Sequence, residues 1–200
     1  MHIPYSEACE RNKDPILSVL QPYLKDTSSV LEIGTGTAQH AVYFAAANPQ
    51  LSWQTSDQQA YIEGINSQLS VAKVGNVEEP IVLDVNQDPW LKKSSEFDMV
   101  YSANTLHIMS TSDVEAFFNG LSAVLTDTGS LVVYGPFKYN GQFTSDSNAA
   151  FDQRLRERGV GSSIKDFEWV NELAENKGFS LLEDVRMPAN NQCLVWSKGS

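Results

Sequence analysis

The stretch VLEIGTGTAQHAVYFA, residues 30–45, restricts the possible folds more than any other part of the chain. Val30, Leu31 and Ile33 make a short apolar run of the kind that forms a buried strand. Gly34 and Gly36 interrupt it, and Ala38 to Ala47 reads as helix. The segment predicts a strand, a tight glycine turn and a helix. That geometry aims free backbone N–H groups at whatever occupies the turn.

The same alternation recurs downstream. LSWQTSD is a second strand ending in Asp57, followed by a helical pattern through Ile65 and Leu69. Pro80 to Val85 is a third strand and Phe97 to Asn104 a fourth. Ser112 and Glu115 read as a capping box opening the helix EAFFNGLSAVL. Ser130 to Phe137 is a fifth strand, and the polar stretch KYNGQFTSDSN precedes the helical segments FDQRLRERG and DFEWVNELAENKG. Before the glycine turn, Asp14-Pro15 predicts a helix start with Pro15 in the first turn. Strands alternating with helices imply a parallel sheet covered on both faces. The last two strands, FSLLEDVRM and QCLVWSK, are joined only by PANN, too short for a parallel crossover, so they are expected to pair antiparallel. With 200 residues, 42% of them hydrophobic, and no linker or repeat, one domain over residues 1–200 is expected.

Charge and composition exclude several functions. The net charge is −11 and the 14 Lys and Arg residues are scattered, which argues against nucleic acid as a partner. No apolar run approaches the ~18 residues of a membrane span. MHIPYSEACERNKDP is too polar for a signal peptide, and Cys9 and Cys193 fit neither a disulfide framework nor a metal site. These features lead us to expect a cytoplasmic protein with reduced thiols and no metal.

In open parallel sheets, ligands bind beyond the carboxyl ends of the strands. Glu32, Asp57, Asp84 and Asn104 all fall there, one after each of the first four strands. Asp57 follows Gly36 by about 20 residues, the separation at which an acid binds a ribose hydroxyl pair. An aspartate at a strand end is often only a helix cap; four such residues in order, beside two glycines, point to a nucleoside-bearing ligand. The dinucleotide fingerprint would need a third glycine where this chain has Gln39, which disfavours a nicotinamide-dependent oxidoreductase.

E-x-G-x-G with downstream acids resembles the class I S-adenosylmethionine-dependent methyltransferases, and the resemblance runs over the whole chain. It implies a single-domain, Rossmann-like α/β fold whose seven-stranded, mostly parallel sheet ends in an antiparallel hairpin. It also implies S-adenosyl-L-methionine as cofactor. In this resemblance Glu32 orients the loop and the methionyl amino group, Asp57 binds ribose, Asp84 and Val85 hold adenine, and Asn104 touches the methionyl moiety. SEACERNKDPIL, GTGTAQHAVYFA, NTLHI, YGPF, SNAAFD and MPANN together resemble the methyltransferase-like protein 26 family, catalogued chiefly as a domain of unknown function. That family usually carries glycine where this chain has Ala38.

Methyl transfer from a sulfonium requires a nucleophile held in line with the methyl group and, for many acceptors, a base. His107, just after the fourth strand, is the best-placed base; terminal His2 and His40, read as facing the glycine turn, fit less well. Tyr5, Glu7, Arg11 and Asn12 belong to a polar leader, residues 1–14, that is expected to close as a lid over the cofactor with Arg11 on the methionyl carboxylate. Tyr134, Phe137, Tyr139 and Phe143 are expected to wall an acceptor pocket with Tyr5 and Asn12. Arg154, Arg156 and Arg158 read as solvated surface. The expected function is methylation of a small molecule; the alternative is a non-catalytic cofactor-binding partner protein.

Overall fold

The computed structural model describes residues 3–91 and 96–199, and His2 lies outside them. Its centre is β1 (Ser29–Ile33), which pairs in parallel with β2 (Ser52–Asp57) on one side and β4 (Phe97–Ala103) on the other. With β3 (Val77–Val82), β5 (Leu125–Gly135), β9 (Phe179–Met187) and β10 (Asn191–Lys198), the sheet order is β3-β2-β1-β4-β5-β10-β9. Strand β10 runs antiparallel to both β5 and β9. The expected seven-stranded sheet with its antiparallel end is therefore present. The chain reverses direction across the sheet between β1 and β4, which opens a crevice at their carboxyl ends.

Side chains alternate along the strands into two cores. Val30, Met99, Tyr101, Val132 and Val195 face α1 (Glu7–Leu20) and α2 (Gln39–Ala47). Leu31, Val100, Val133 and Leu194 face α4 (Thr111–Leu121) and α6 (Phe167–Glu175). Helix α3 (Ile62–Ala72) follows β2 and buries Ile65.

Several element boundaries differ from those expected. Helix α1 begins at Glu7, not at Asp14: Ser6 accepts from the Cys9 N–H, and Glu7 and Glu10 sit at the positive end of the helix dipole. Pro15 is thus inside the helix, whose buried residues Asn12, Ile16 and Leu20 recur every fourth position. Burying that stripe outweighs one missing backbone hydrogen bond. Helix α4 is capped by Ser110 and Asp113, which bond reciprocally at 3.1 and 3.0 Å, two residues upstream of the expected pair. Strand β3 ends at Val82; as an edge strand it tolerates Pro80, which has no N–H to donate.

The polar stretch after β5 is structured. Strands β6 (Phe137–Tyr139) and β7 (Gln142–Phe143) form a hairpin around Asn140 and Gly141, at φ of 50° and 72°. Asn-Gly in this conformation is a strong hairpin signal. With β8 (Lys165–Asp166) these strands make a second, three-stranded sheet, and α5 (Asp146–Arg156) follows the hairpin.

Candidate cofactor and acceptor site

The glycine turn is fastened to the sheet on two sides. The Gly34 and Thr35 N–H groups both donate to the Ser56 carbonyl at 3.0 Å. Thr35 Oγ1 accepts from the Ser56 N–H at 3.1 Å and donates to Glu32 at 3.2 Å. Gly34, at φ 78°, lies where a Cβ would stand 2.2 Å from Thr105 Cγ2. No side chain fits there. Gly36 is the opposite case, since a Cβ on it would meet nothing within 4 Å. Its bare backbone borders open space. Ala38 also takes a left-handed backbone, at φ 60°, so α2 starts at Gln39 rather than at Ala38.

Asp57 joins the turn to the end of β2. Its Oδ2 accepts from the Gly36 N–H and its Oδ1 from the Gln58 N–H, each at 2.7 Å. An ionised carboxylate has about four acceptor positions, so two remain unused by these N–H groups. Burial raises the Asp57 carboxyl above its ordinary range, and the two N–H groups oppose that shift. Glu32 is 2% exposed and accepts from Trp53 Nε1 at 3.1 Å. Burial, helped by the nearby Asp57 charge, pushes its carboxyl up to about 8 against the pull of Trp53 and Thr35.

Glu32, Gly34, Gly36 and Asp57 thus form one connected network. Asn104, at φ 59°, ties β4 to β5 by donating its N–H to the Tyr134 carbonyl at 2.8 Å, and Thr105 beside it abuts Gly34. Asp84 and Val85 fall in the turn beyond β3, where Asp84 accepts from the Asn86 N–H at 3.0 Å. They reach the network through Leu83, whose N–H donates to the Asp57 carbonyl at 2.9 Å.

The leader crosses this end of the molecule. The Ser6 N–H donates to Gln39 at the start of α2 at 2.6 Å, and Pro4 lies 3.3 Å from the Cβ position of Gly64 in α3. Tyr5 is exposed, and Arg11 faces solvent in an ion pair with Glu7 at 3.3 Å. Asn12 is buried instead, bonded to His40 Nε2 at 2.7 Å. His40 therefore does not face the glycine turn. Its Nδ1 lies 3.2 Å from the Tyr101 hydroxyl, and its ring stacks on Phe44.

The expected acceptor pocket is divided by the sheet. Tyr134 is buried on the α1 side, near the Asn12 and Asn191 side chains, whereas His107 lies on the α4 side against Phe151. Phe137 is packed into the core at 1% exposure. The Tyr139 hydroxyl donates to Asp184 at 2.7 Å and its ring stacks on Phe167. Those two aromatics serve packing, because their partners arrive from α6 and β9.

Burial pushes both His40 and His107 down to about 4, and for His107 the Lys165 and Arg158 charges add to the effect. The unfolded chain takes up these protons near the ordinary histidine value of 6.5. Acidification through that window favours unfolding; the stability tied to the neutral rings is present above pH 6.5 and lost as pH falls through 4. Ring-carbon NMR on the histidine-labelled protein should find both rings neutral at pH 5.5, between those two values. A midpoint near 6.5 for either ring would contradict its burial.

Among the described residues no helix is long and apolar enough to cross a membrane, and no group of three His, Cys, Asp or Glu residues is set to hold a metal. Solved structures share the fold. An O-methyltransferase family protein from Burkholderia thailandensis superposes with TM-score 0.78 at 14% identity, over 96% of this chain and 60% of its own. Human N-acetylserotonin methyltransferase in complex with SAM gives 0.80 at 13% identity, over 97% and 53%. A putative O-methyltransferase from Nostoc punctiforme PCC 73102 gives 0.77 at 19%, over 94% and 56%. The chain thus spans little more than half the length of these proteins, and at such identity the likeness establishes a Rossmann-like methyltransferase fold. Residues 3–198 match the family described as "Protein of unknown function (DUF938)", and the chain belongs to that family.

Proposed function

We propose that this protein is an S-adenosylmethionine-dependent methyltransferase acting on a small molecule. The observation that carries this reading is the Asp57 carboxylate, fixed by two backbone N–H groups with two acceptor positions left over, beside the open face of Gly36. A ribose offers two hydroxyl donors side by side, and this donor–acceptor match is the fit the cofactor needs. When bound, the cofactor supplies an electrophilic methyl group on a sulfonium. The resemblance to the methyltransferase-like protein 26 family and the shared fold support the same assignment.

In this reading Asp57 holds the ribose, Asp84 and Val85 border the adenine, and Asn104 borders the methionyl end. Glu32, largely protonated when alone, becomes the counter-ion of the methionyl ammonium, because an adjacent cation lowers a carboxyl's pKa. Arg11 reaches the methionyl carboxylate by leaving Glu7, an exposed partner that holds it loosely. His107 is neutral at physiological pH and so can accept a proton from the acceptor molecule. The net charge of −11 suits a small-molecule partner, not a polynucleotide. The free thiols of Cys9 and Cys193 suit the cytoplasm.

Two measurements test the proposal. Calorimetry should detect S-adenosylhomocysteine binding and no comparable binding of NAD. Incubation of the protein and S-adenosylmethionine with a low-molecular-mass cell extract should release S-adenosylhomocysteine. Binding without turnover in any extract favours a non-catalytic partner protein; preference for NAD overturns the cofactor. The lid has its own test. Deleting residues 1–6 removes the Ser6–Gln39 bond and should weaken S-adenosylhomocysteine about fivefold, the worth of one ordinary hydrogen bond. Melting should stay cooperative. Unchanged affinity would reduce the leader to a helix extension.

A further inference from the structure

Two buried polar side chains have no hydrogen-bond partner among the described residues, and they share one face of the sheet. His107 and Gln192 are each 7% exposed. Every fully enclosed side-chain nitrogen or oxygen among the described residues is hydrogen-bonded, so the unbonded polar atoms of these two reach open space. Gln192 on β10 stands directly opposite Gly135 on β5. Opposed residues of an antiparallel pair project to the same face, with Cβ positions about 5 Å apart. A Cβ on Gly135 would lie 3.6 Å from His107 Nδ1. His107 and Gln192 therefore flank a glycine that has no side chain to fill the gap between them.

Gly135 does not have the positive φ that would require glycine. Inside a sheet glycine is otherwise unfavourable, and one reason to keep it is the close approach of a ligand. The walls are rigid and flat-sided. The Phe151 ring meets the His107 ring edge-on at 5.3 Å. The loop carrying His107 is pinned from behind, where Ser162 donates to the Ile108 carbonyl at 2.5 Å and Lys165 Nζ to the Met109 carbonyl at 2.7 Å.

We propose that His107, Gly135 and Gln192 form the acceptor subsite, and that it takes a flat molecule with a weakly acidic hydroxyl, a phenol or an enol. The assignment of this subsite to the methyl acceptor rests on the methyltransferase reading above. A hydroxyl has one proton to donate and an oxygen that accepts. The neutral His107 ring accepts that proton, and the Gln192 amide N–H donates to the oxygen. Lys165 and Arg158 lie near His107, and Arg186 stands opposite Gln192 on β9. The two acids beside this loop are already engaged, Asp152 by Arg156 and the Ile164 N–H, and Asp113 by the Ser110 N–H and the Asn86 amide. Such surroundings repel an ammonium group and favour an oxygen that gains negative charge. A buried histidine that binds its proton weakly also suits a hydroxyl that is already acidic, and suits an alkyl alcohol poorly.

The test is NMR of histidine-labelled protein titrated with phenol, and with benzylamine as the cationic arm. Phenol should move the His107 resonances saturably and leave those of His40 unmoved, while benzylamine moves neither. Gly135→Ala fills the floor at an ordinary contact distance, and Gln192→Leu removes the amide at nearly constant volume. Each should weaken phenol about tenfold while the protein still melts cooperatively. His107 unmoved by phenol, equal binding of benzylamine, or wild-type titration in both variants overturns the proposal. Calorimetry with S-adenosylhomocysteine on the same samples separates the two readings. Cofactor binding with no phenol response rejects this subsite alone; phenol response without cofactor binding rejects the methyltransferase instead.

Discussion

Replacing Asp57 with alanine should weaken S-adenosylhomocysteine binding about 10- to 150-fold, the equivalent of losing charge-assisted hydrogen bonds worth roughly 1.5–3 kcal/mol. The same substitution frees the Gly36 and Gln58 N–H groups, which now share that carboxylate at 2.7 Å. Part of the loss would then come from a looser turn and not from the ribose contact. Asp57→Asn separates the two contributions. Its single carbonyl oxygen can keep one backbone N–H, but its amide group turns a donor toward the other, so it should bind with intermediate affinity. Calorimetry on both variants reads the difference. Wild-type affinity in a folded Asp57→Ala protein would remove this residue from the site.

Gly34→Ala should be the most destabilising single methyl group that can be added to the site. The left-handed backbone at φ 78° disfavours any L side chain, and the new Cβ would meet Thr105 Cγ2 at 2.2 Å. Strain of about 1–2 kcal/mol from the first effect adds to overpacking of about 1–3 kcal/mol from the second. For a domain of this size the sum lowers Tm by about 5–15 °C. Thr105→Ser removes the offending methyl while keeping the hydroxyl that bonds Ser102 at 2.5 Å. The double variant should recover the overpacking part and retain the backbone strain. If Thr105→Ser restores nothing, the two residues do not press on each other as described.

How far these features could be read in the sequence depends on how local their causes are. The β1–turn–α2 unit was legible because an apolar run and two glycines act within a few residues. Asp57 was legible because its distance from Gly36 is set by one helix and one strand. The start of α1 was not. Asp14-Pro15 gives a stronger local signal than Ser6, and burial of Asn12, Ile16 and Leu20 together with the Ser6 cap carries the helix through it. Phe137 and Tyr139 are placed differently for a related reason: core neighbours and Asp184, respectively, engage side chains that their position after the fifth strand assigned to a pocket wall. Gln192 was overlooked although a signal existed. It shares the inward parity of Leu194 and Trp196, and a lone amide on an otherwise apolar strand face calls for a partner.

The position of β10 bears on how the protein is made. Of the seven strands in the main sheet it is the last to leave the ribosome, yet it lies inside the sheet, between β5 and β9. Strand β9 has no other neighbour in that sheet, so until residues 191–198 emerge its backbone groups stay unpaired and one edge of β5 stays open. Without β10 the main sheet reduces to the five parallel strands β3-β2-β1-β4-β5 with the β5 edge open, the kind of surface that recruits other chains. Strand β10 alone joins β5 to β9, and the same pairing sets Gln192 opposite Gly135.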